Sequence, residues 1–522
     1  MRVGLLLLVA ALPVIAAGQT IYPASPDWTS TDTQVSTGAA LVDLDRDGWL
    51  DLVVANGNDM ARQHVVVYYN QGDGTFPPTP NWQSSDIGYH GHVDIADVNG
   101  DGWLDVAVAL LLNEGGPAAK LYLNNNGTLS ALPDWTCTEH VRAFGVAFGD
   151  VNNDGRPDLA VATGWPYEPG YTARSTVHLN VGGELAAAPS WQSADMDDLM
   201  GVLWIDTDRD GWLDLVGLSA LTPIGRYRNL GGTLAATADW HTTDVTSPYV
   251  LLGADGDLTG DGLRDLIVAD NAQLGGGSGR FRLYPGLAGG DFATTASWTY
   301  YDSLCSAVAL ADLDGDHGLD LVTGGWWSHT RIFLNTGTGL PASATWSSTT
   351  SSVVEKLALG DVDKDGLRSV VETFSDAVPG GRLFYLAQQP VQEIVRVQRD
   401  GVELTPDQYT FSREHGWVTV GPAAGDVVVE YTCSSRLDLA VTNWDDYVGN
   451  FLYRHRLVHA GDLNCDGAVD NFDIGPFILL LTNRPAYDAR WPDCDADTNG
   501  DMNGDGAIDN FDITGFVQAL LD

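Results

Sequence analysis

The stretch Asp43-Leu44-Asp45-Arg46-Asp47-Gly48-Trp49-Leu50-Asp51, running straight into Leu52-Val53-Val54, constrains this chain more than any other. Acids stand at positions 1, 3 and 5, a glycine at 6 permits a sharp turn, and a fourth carboxylate stands at 9. Hard oxygen donors at that spacing, with a backbone carbonyl at 7, suit Ca²⁺. An EF-hand needs a bidentate acid at position 12 and a helix after it. Position 12 here is Val54, inside a β-branched run that reads as a strand. The expectation is a calcium loop between two strands.

The loop repeats, and a fixed period is the signature of a repeat architecture. The second copy is Asp97, Asn99, Asp101, Gly102 and Asp105; the third is Asp150, Asn152, Asp154, Gly155 and Asp158. The fourth is Asp206, Asp208, Asp210, Gly211 and Asp214. The fifth has Thr259 between Asp257 and Asp261, then Gly262 and Asp265. The sixth has Asp312, Asp314, Asp316 and Asp320, with His317 in the glycine place. The seventh has Asp361, Asp363, Asp365 and Gly366, then Ser369 where the last acid belongs. First positions lie about 49 to 56 residues apart.

A Trp opens each repeat: Trp28, Trp82, Trp135, Trp191, Trp240, Trp298 and Trp346. One short strand leads into the loop, as Gly145-Val146-Ala147-Phe148-Gly149, and one leaves it, as Asp158-Leu159-Ala160-Val161-Ala162. A third carries an aromatic and ends at Asn-x-Gly, as in Val67-Tyr68-Tyr69-Asn70-Gln71-Gly72. About four strands per unit cannot bury their faces alone, and units of this period stack as propeller blades. The repeat-leading Trp are expected in packing between blades, because a ligand site needs no Trp in every unit.

Over roughly residues 25–385 the repeats resemble the FG-GAP/VCBS repeats of integrin alpha-chain propellers and many secreted bacterial proteins. The resemblance implies an all-β propeller with Ca²⁺ in the loops. Loops one to four match the pattern fully; five to seven depart from it as described. Seven four-stranded blades are expected, eight being the alternative. The pattern breaks between about Val391 and Thr432, where β-branched runs between turns read as a small inserted β module. Leu437-Asp438-Leu439-Ala440-Val441 and Phe451-Leu452-Tyr453 then resemble a repeat's second and third strands without a calcium loop. The expected division is a signal segment at 1–18, the propeller at 19–388, the module at 389–433, closing strands or a degenerate blade at 434–457, and a C-terminal unit at 458–522.

In that last unit Asp462, Asn464, Asp466, Asp470 and Asp473 occupy loop positions 1, 3, 5, 9 and 12, and Asp501, Asn503, Asp505, Asp509 and Asp512 repeat them. Position 12 is now acidic and apolar segments follow, so these are EF-type calcium loops running into short helices. The pair resembles a type I dockerin, which implies a small α-helical domain and a cohesin-type partner on a scaffold or surface protein. Family recognition positions fall on Asn471-Phe472 and Asn510-Phe511, where the familiar pattern has small hydroxyl residues. Each Phe is a candidate partner anchor or packs on its own helix. Cys465 and Cys494 are a candidate disulfide within this unit.

Formal net charge is −44, from 70 acidic against 26 basic side chains, which argues against phosphate neutralisation and nucleic-acid binding. Metal-free, the loops repel themselves, so calcium is expected to be part of the folded state. Arg2, the apolar run Leu5 to Ile15 and Ala16-Ala17-Gly18 read as a secretory signal, too short to span a bilayer. There is no nucleophile elbow, phosphate-binding glycine loop or zinc-type His-Glu-x-x-His. His90 and His92, flanking Gly91, read as exposed or structural, and Trp326-Trp327 beside His329 as a sugar-stacking candidate. Two function classes remain: a secreted calcium-stabilised protein that binds a carbohydrate or protein ligand, or, as the resemblance to dockerin-bearing and propeller enzymes alone implies, a polysaccharide lyase or glycoside hydrolase. The first is favoured, because no cluster of Lys, Arg, His or Tyr marks a catalytic face.

Overall fold

The structure, a computed structural model, describes residues 21–520 apart from 113–114, 169–170, 172, 197, 246–247, 338, 376–381, 446, 457–459, 465–468, 492–493, 495 and 504–506. The expected signal segment lies outside the described residues, as do Cys465, Asp466 and Asp505. No helix among the described residues is long and apolar enough to cross a membrane.

Alternating apolar residues and turn-forming loops give a mostly β molecule of short antiparallel meanders. The first sheet runs Ser36–Val42, Asp51–Asn56, Val65–Tyr68 and Trp82–Gln83, in that order. Four more four-stranded sheets follow with the same order, opening on Tyr89–Ala96, Ala143–Gly149, Asp198–Ile205 and Val250–Gly256. Each opening strand runs into an acidic loop and the second strand leaves it. Next, Cys305–Ala311 pairs with the long strand Asp320–Phe333, which pairs with the first half of Trp346–Gly360. The second half of Trp346–Gly360 pairs with Asp438–Asn443, then come Phe451–Tyr453 and, at the edge, Trp28–Thr29 from the beginning of the chain.

Opening strands pack side by side in sequence order, and Trp346–Gly360 returns to pack on Ser36–Val42, so the series closes on itself. This arrangement is consistent with a β-propeller. Glycine is needed where the strands converge on the axis. A Cβ on Gly91 would lie 2.2 Å from the Phe144 carbonyl oxygen, and one on Gly145 would lie 2.9 Å from that of Met200. Between units the opening Trp pack edge-on against the next sheet: Trp28 on Tyr68, Trp82 on Tyr122, Trp191 on Tyr227 and Trp346 on Tyr453, with ring centroids 5.4–6.4 Å apart.

The insertion is larger than the sequence reading places it. Leu367–Phe374, expected in the seventh repeat, pairs with Val427–Ser434, and Leu383–Tyr385 pairs with Trp417–Val420. Both strands have the β-branched and aromatic pattern of a repeat, so local sequence does not separate the two. Two small sheets enclose a core that includes Val397, Val418, Val429 and Tyr431. The module covers the acidic-loop end of the axis. Its turn Arg413-Glu414-His415 enters the axial channel, where Lys356 Nζ reaches Glu414 at 2.9 Å and His415 Nδ1 lies 2.5 Å from Asp255. Trp417 is buried in one cluster with Trp204, Leu213 and Leu215. Trp417→Ala should therefore cost about 3–5 kcal/mol, read as a lower melting temperature with faster proteolysis confined to the module. Uniform loss across the chain would contradict this docking.

The C-terminal unit carries helices Ile474–Thr482, Arg484–Arg490, Ala496–Gly500 and Ile513–Ala519. Phe477 and Phe516 stack between the halves at 4.2 Å. Cys494 is disulfide-bonded, while Cys137, Cys305 and Cys433 are free and buried.

Candidate metal centres

The seven loops share one hydrogen-bond frame. The position-1 carboxylate accepts from the position-6 N–H: Gly48 to Asp43 at 2.9 Å, Gly102 to Asp97 at 2.7 Å, Gly155 to Asp150 at 2.7 Å and Gly211 to Asp206 at 3.0 Å. The same bond runs from Gly262 to Asp257, His317 to Asp312 and Gly366 to Asp361, at 2.7–3.1 Å. The position-9 acid folds back to accept the position-2 N–H, as Leu44 to Asp51 at 3.1 Å and Leu313 to Asp320 at 2.8 Å. Asp105, Asp158, Asp214 and Asp265 do likewise at 2.8–3.3 Å. The Asn that follows the third strand then donates to the position-2 carbonyl of the preceding loop: Asn124 to Leu44 at 2.8 Å, Asn180 to Val98 at 2.7 Å, and Asn70 to Val362 at 2.9 Å. That last bond ties the first loop to the seventh.

The seventh loop shows what sequence reasoning missed. Ser369 lies exposed on a module strand, and Asp438 takes the position-9 place, accepting Val362 N–H at 2.9 Å and His455 N–H at 2.8 Å. His455 stands where five of the other repeats have Asn and the fifth repeat has Gly286. The module is inserted inside a loop whose last acid comes from beyond it. The available signal was Asp438-Leu439-Ala440-Val441, which matches Asp51-Leu52-Val53-Val54.

Ligand atoms of Asp43, Asp45 and Asp51 lie within 4.8 Å of one another, as do those of Asp206, Asp208 and Asp210, of Asp312, Asp314 and Asp316, and of Asp361, Asp363 and Asp365. Asn99 and Asn152 place an amide oxygen at position 3 of the second and third loops, each accepting from the position-5 N–H, at 2.9 and 3.0 Å. Burial pushes Asp43 up to about 6, Asp51 and Asp105 to about 8, and Asp150 and Asp206 to about 7. Neighbouring loop acids add to the shift at each of these five. Oδ1 of Asp43, Asp208 and Asp363 is buried with no hydrogen-bond partner. Buried carboxylates that raise one another and leave oxygens unpaired fit a hard divalent cation. In three loops an arginine reaches a loop acid as well: Arg156 lies 3.8 Å from Asp154, Arg228 pairs with Asp208, and Arg454 and Arg436 reach Asp363 and Asp365 at 3.1 and 3.3 Å.

His317 holds φ 69° where the loops otherwise place glycine. His317→Gly should relieve that left-handed strain and stabilise the protein by about 0.5–1 kcal/mol. A thermal melt checks this, and a lower midpoint would show that His317 makes a compensating contact.

In the C-terminal unit Asp473 accepts N–H groups from Leu463 at 2.7 Å, Asn464 at 3.0 Å and Asp470 at 2.9 Å. Asp512 repeats this with Asn503 at 3.2 Å and Asp509 at 2.8 Å. Asp462 is buried, and Asp501 lies at the start of the second loop. Phe472 and Phe511 are 74 % and 71 % exposed, so neither packs on its own helix, and Asn471 and Asn510 lie beside them on the surface.

The remaining candidates take other places. His90 and His92 are buried, and desolvation drives both pKa values down, His92 to about 3. Trp326 is buried and Trp327 is 60 % exposed, so the two do not form one flat stacking surface. A basic group that sequence spacing hid does collect at the axis, but Lys356, Arg264 and His415 are each held by an acid, namely Glu414, Asp255 and Asp255.

A family model described as an FG-GAP-like repeat matches residues 43–108, 109–161 and 257–323. No curated protein matches the chain. Solved structures similar to it include BBS1N in complex with ARL6DN, soaked with lead, at 13 % identity and TM-score 0.43 over 66 % of this chain and 91 % of that one. The same complex soaked with mercury gives 12 % and 0.45 over 66 % and 92 %. The computationally designed Ika8 protein gives 11 % and 0.40 over 77 % and 98 %.

Proposed function

We propose that this chain is a secreted, calcium-stabilised propeller of seven blades that binds a carbohydrate or protein ligand. On this reading a dockerin-like C-terminal unit tethers it to a cohesin-type partner. The observation that carries the reading is the common hydrogen-bond frame of the seven loops, which in four of them brings three carboxylates within 4.8 Å of one another and in three leaves a buried carboxylate oxygen unpaired. Ca²⁺ would be held by acids at positions 1, 3, 5 and 9, with Asn99, Asn152 and Thr259 supplying neutral oxygens at position 3. The ion neutralises the cluster and fixes the loop; the strands that it joins set the blade. The seven opening strands of the closed series support a count of seven blades, with Trp28–Thr29 as the outer strand of the last. The exposed Asn-Phe pairs, one in each half of the C-terminal unit, present equivalent anchors to a partner.

The ligand reading is preferred to an enzymatic one because Lys356, Arg264 and His415 at the axis are paired with acids and Arg413 belongs to the module that covers them. The test is a polysaccharide array on calcium-loaded protein, read once for retention and once for new reducing ends or unsaturated products. Retention without product is expected. Product release would replace the binding reading with a degradative one. Metal analysis of extensively dialysed protein accompanies it, and a calcium-free folded chain would remove the basis of the proposal.

A further inference from the structure

The end of the axis away from the acidic loops holds a separate cavity of about 120 Å³. A register shift interrupts the opening strand of every repeat at the same place: between Ser36 and Gly38, Ala143 and Gly145, Leu199 and Gly201, Val250 and Leu252, Cys305 and Ala307, and Val354 and Lys356, with a wider break between His90 and Val93. A bulge re-aims the extra side chain. Phe144, Met200 and Leu251 are three of these bulge residues and form an apolar floor. The bulge residue of Trp346–Gly360 is Glu355, the one acid in the series.

Around that floor stand Trp165, Tyr167, Tyr249, Trp326 and Trp444. Trp326 and Trp444 stack at 5.7 Å, while Tyr167 meets Tyr249 edge-on at 5.9 Å and joins it through their hydroxyls at 2.7 Å. Glu355 is fully buried and neither carboxylate oxygen has a hydrogen-bond partner. Asp59 adds a second carboxylate at the exposed rim; among the described residues no Lys or Arg lines the cavity, and Arg142 lies over the Trp165 ring at 5.1 Å. Burial holds the Glu355 carboxyl well above the usual carboxylate range, Asp59 adds to that, and the Trp326 side chain beside it acts the other way; a cation seated against it would favour the ionised form. A hard metal ion needs six to eight oxygens, which aromatic walls do not offer. Aromatic faces do attract a bulky organic cation. An apolar cavity of about 150 Å³ admits benzene, so this one has room for a compact head group and not for a whole hexose ring.

From this juxtaposition of Glu355 with an aromatic cage, we propose that the cavity binds an alkylated ammonium head group, of the trimethylammonium type. The site is distinct from the metal loops and does not depend on the carbohydrate reading. Choline titrated into the full-length, calcium-loaded protein should quench tryptophan fluorescence saturably. Its uncharged isostere, 3,3-dimethylbutanol, should bind at least about tenfold more weakly, because it lacks the charge that a desolvated cage rewards. Glu355→Gln keeps the side-chain shape and should weaken choline by at least about tenfold; Trp444→Phe should weaken it less, with the fold of each checked by its melting curve. Equal binding of the isostere, unchanged binding by folded Glu355→Gln, or no saturable response to choline would overturn the proposal.

Discussion

Excess chelator is expected to remove the cooperative thermal transition of this protein or lower its midpoint by tens of degrees. Each loop occupied at a hundredfold excess of calcium over Kd adds about 2.7 kcal/mol, so four such loops contribute about 11 kcal/mol. That matches the whole stability of a typical fold, about 5–15 kcal/mol. The sign of the pH dependence follows from the loop carboxylates. In the metal-free fold Asp51 and Asp105 are pushed from 3.8 to about 8, by burial first. A folded state that holds protons more tightly than the unfolded chain loses stability as pH rises through that window. The chelator penalty should therefore grow between about pH 4 and pH 8, while calcium-loaded protein shows no such loss. Magnesium, which demands compact octahedral geometry, should restore little. A melting temperature unmoved by chelator would refute the loop assignment.

Asp438→Ala should be the most damaging single change in the seventh repeat. It leaves the Val362 and His455 N–H groups without their acceptor, at about 1–3 kcal/mol each. It also removes the last carboxylate of a loop whose other acids, Asp363 and Asp361, raise the Asp438 pKa further after burial has done so. Loss of that ion adds about 2.7 kcal/mol, for a total of about 5–9 kcal/mol. Asp438→Asn keeps an acceptor and should lose chiefly the ion. Ser369→Ala, at the place where sequence register expects the last ligand, should stay within about 0.5 kcal/mol of the parent. Melting curves with bound calcium per chain decide between them; a large loss from Ser369→Ala and none from Asp438→Ala would sink the split-loop account.

Much of this was legible in the chain because the information is local. Asp-x-Asp-x-Asp-Gly with an acid three residues later sets both a turn and a charge cluster, and the aromatic before Asn-x-Gly marks the strand that receives the next Trp. What escaped is non-local. Asp438 joins its loop only after the module intervenes, and spacing carries no trace of that. Val370 and Val371 look like a repeat's second strand because β-branched alternation is the same in either sheet. Glu355 sits in Val353-Val354-Glu355-Lys356, where only the bulge tells that the acid faces the axis. The basic axial group comes from several repeats and the module, and no window of sequence contains it. Of the two places the sequence allows His90 and His92, exposed or structural, burial selects the second.

The module leaves and rejoins the ring through neighbouring residues: Leu367 pairs directly with Ser434 at the base of the module's four-stranded sheet, which serves as its stalk. A segment whose ends are already side by side is a cassette. Cutting it at the stalk and joining the ends with a short turn would rebuild an ordinary loop, with Asp438 at the distance that Asp51 keeps from Asp47. The same two ends would accept a foreign domain with adjacent termini, mounted over one mouth of the channel and held rigid by two strands. The insertion thus marks the place where exchange of a whole part is expected to leave the ring's own sheets in their present order.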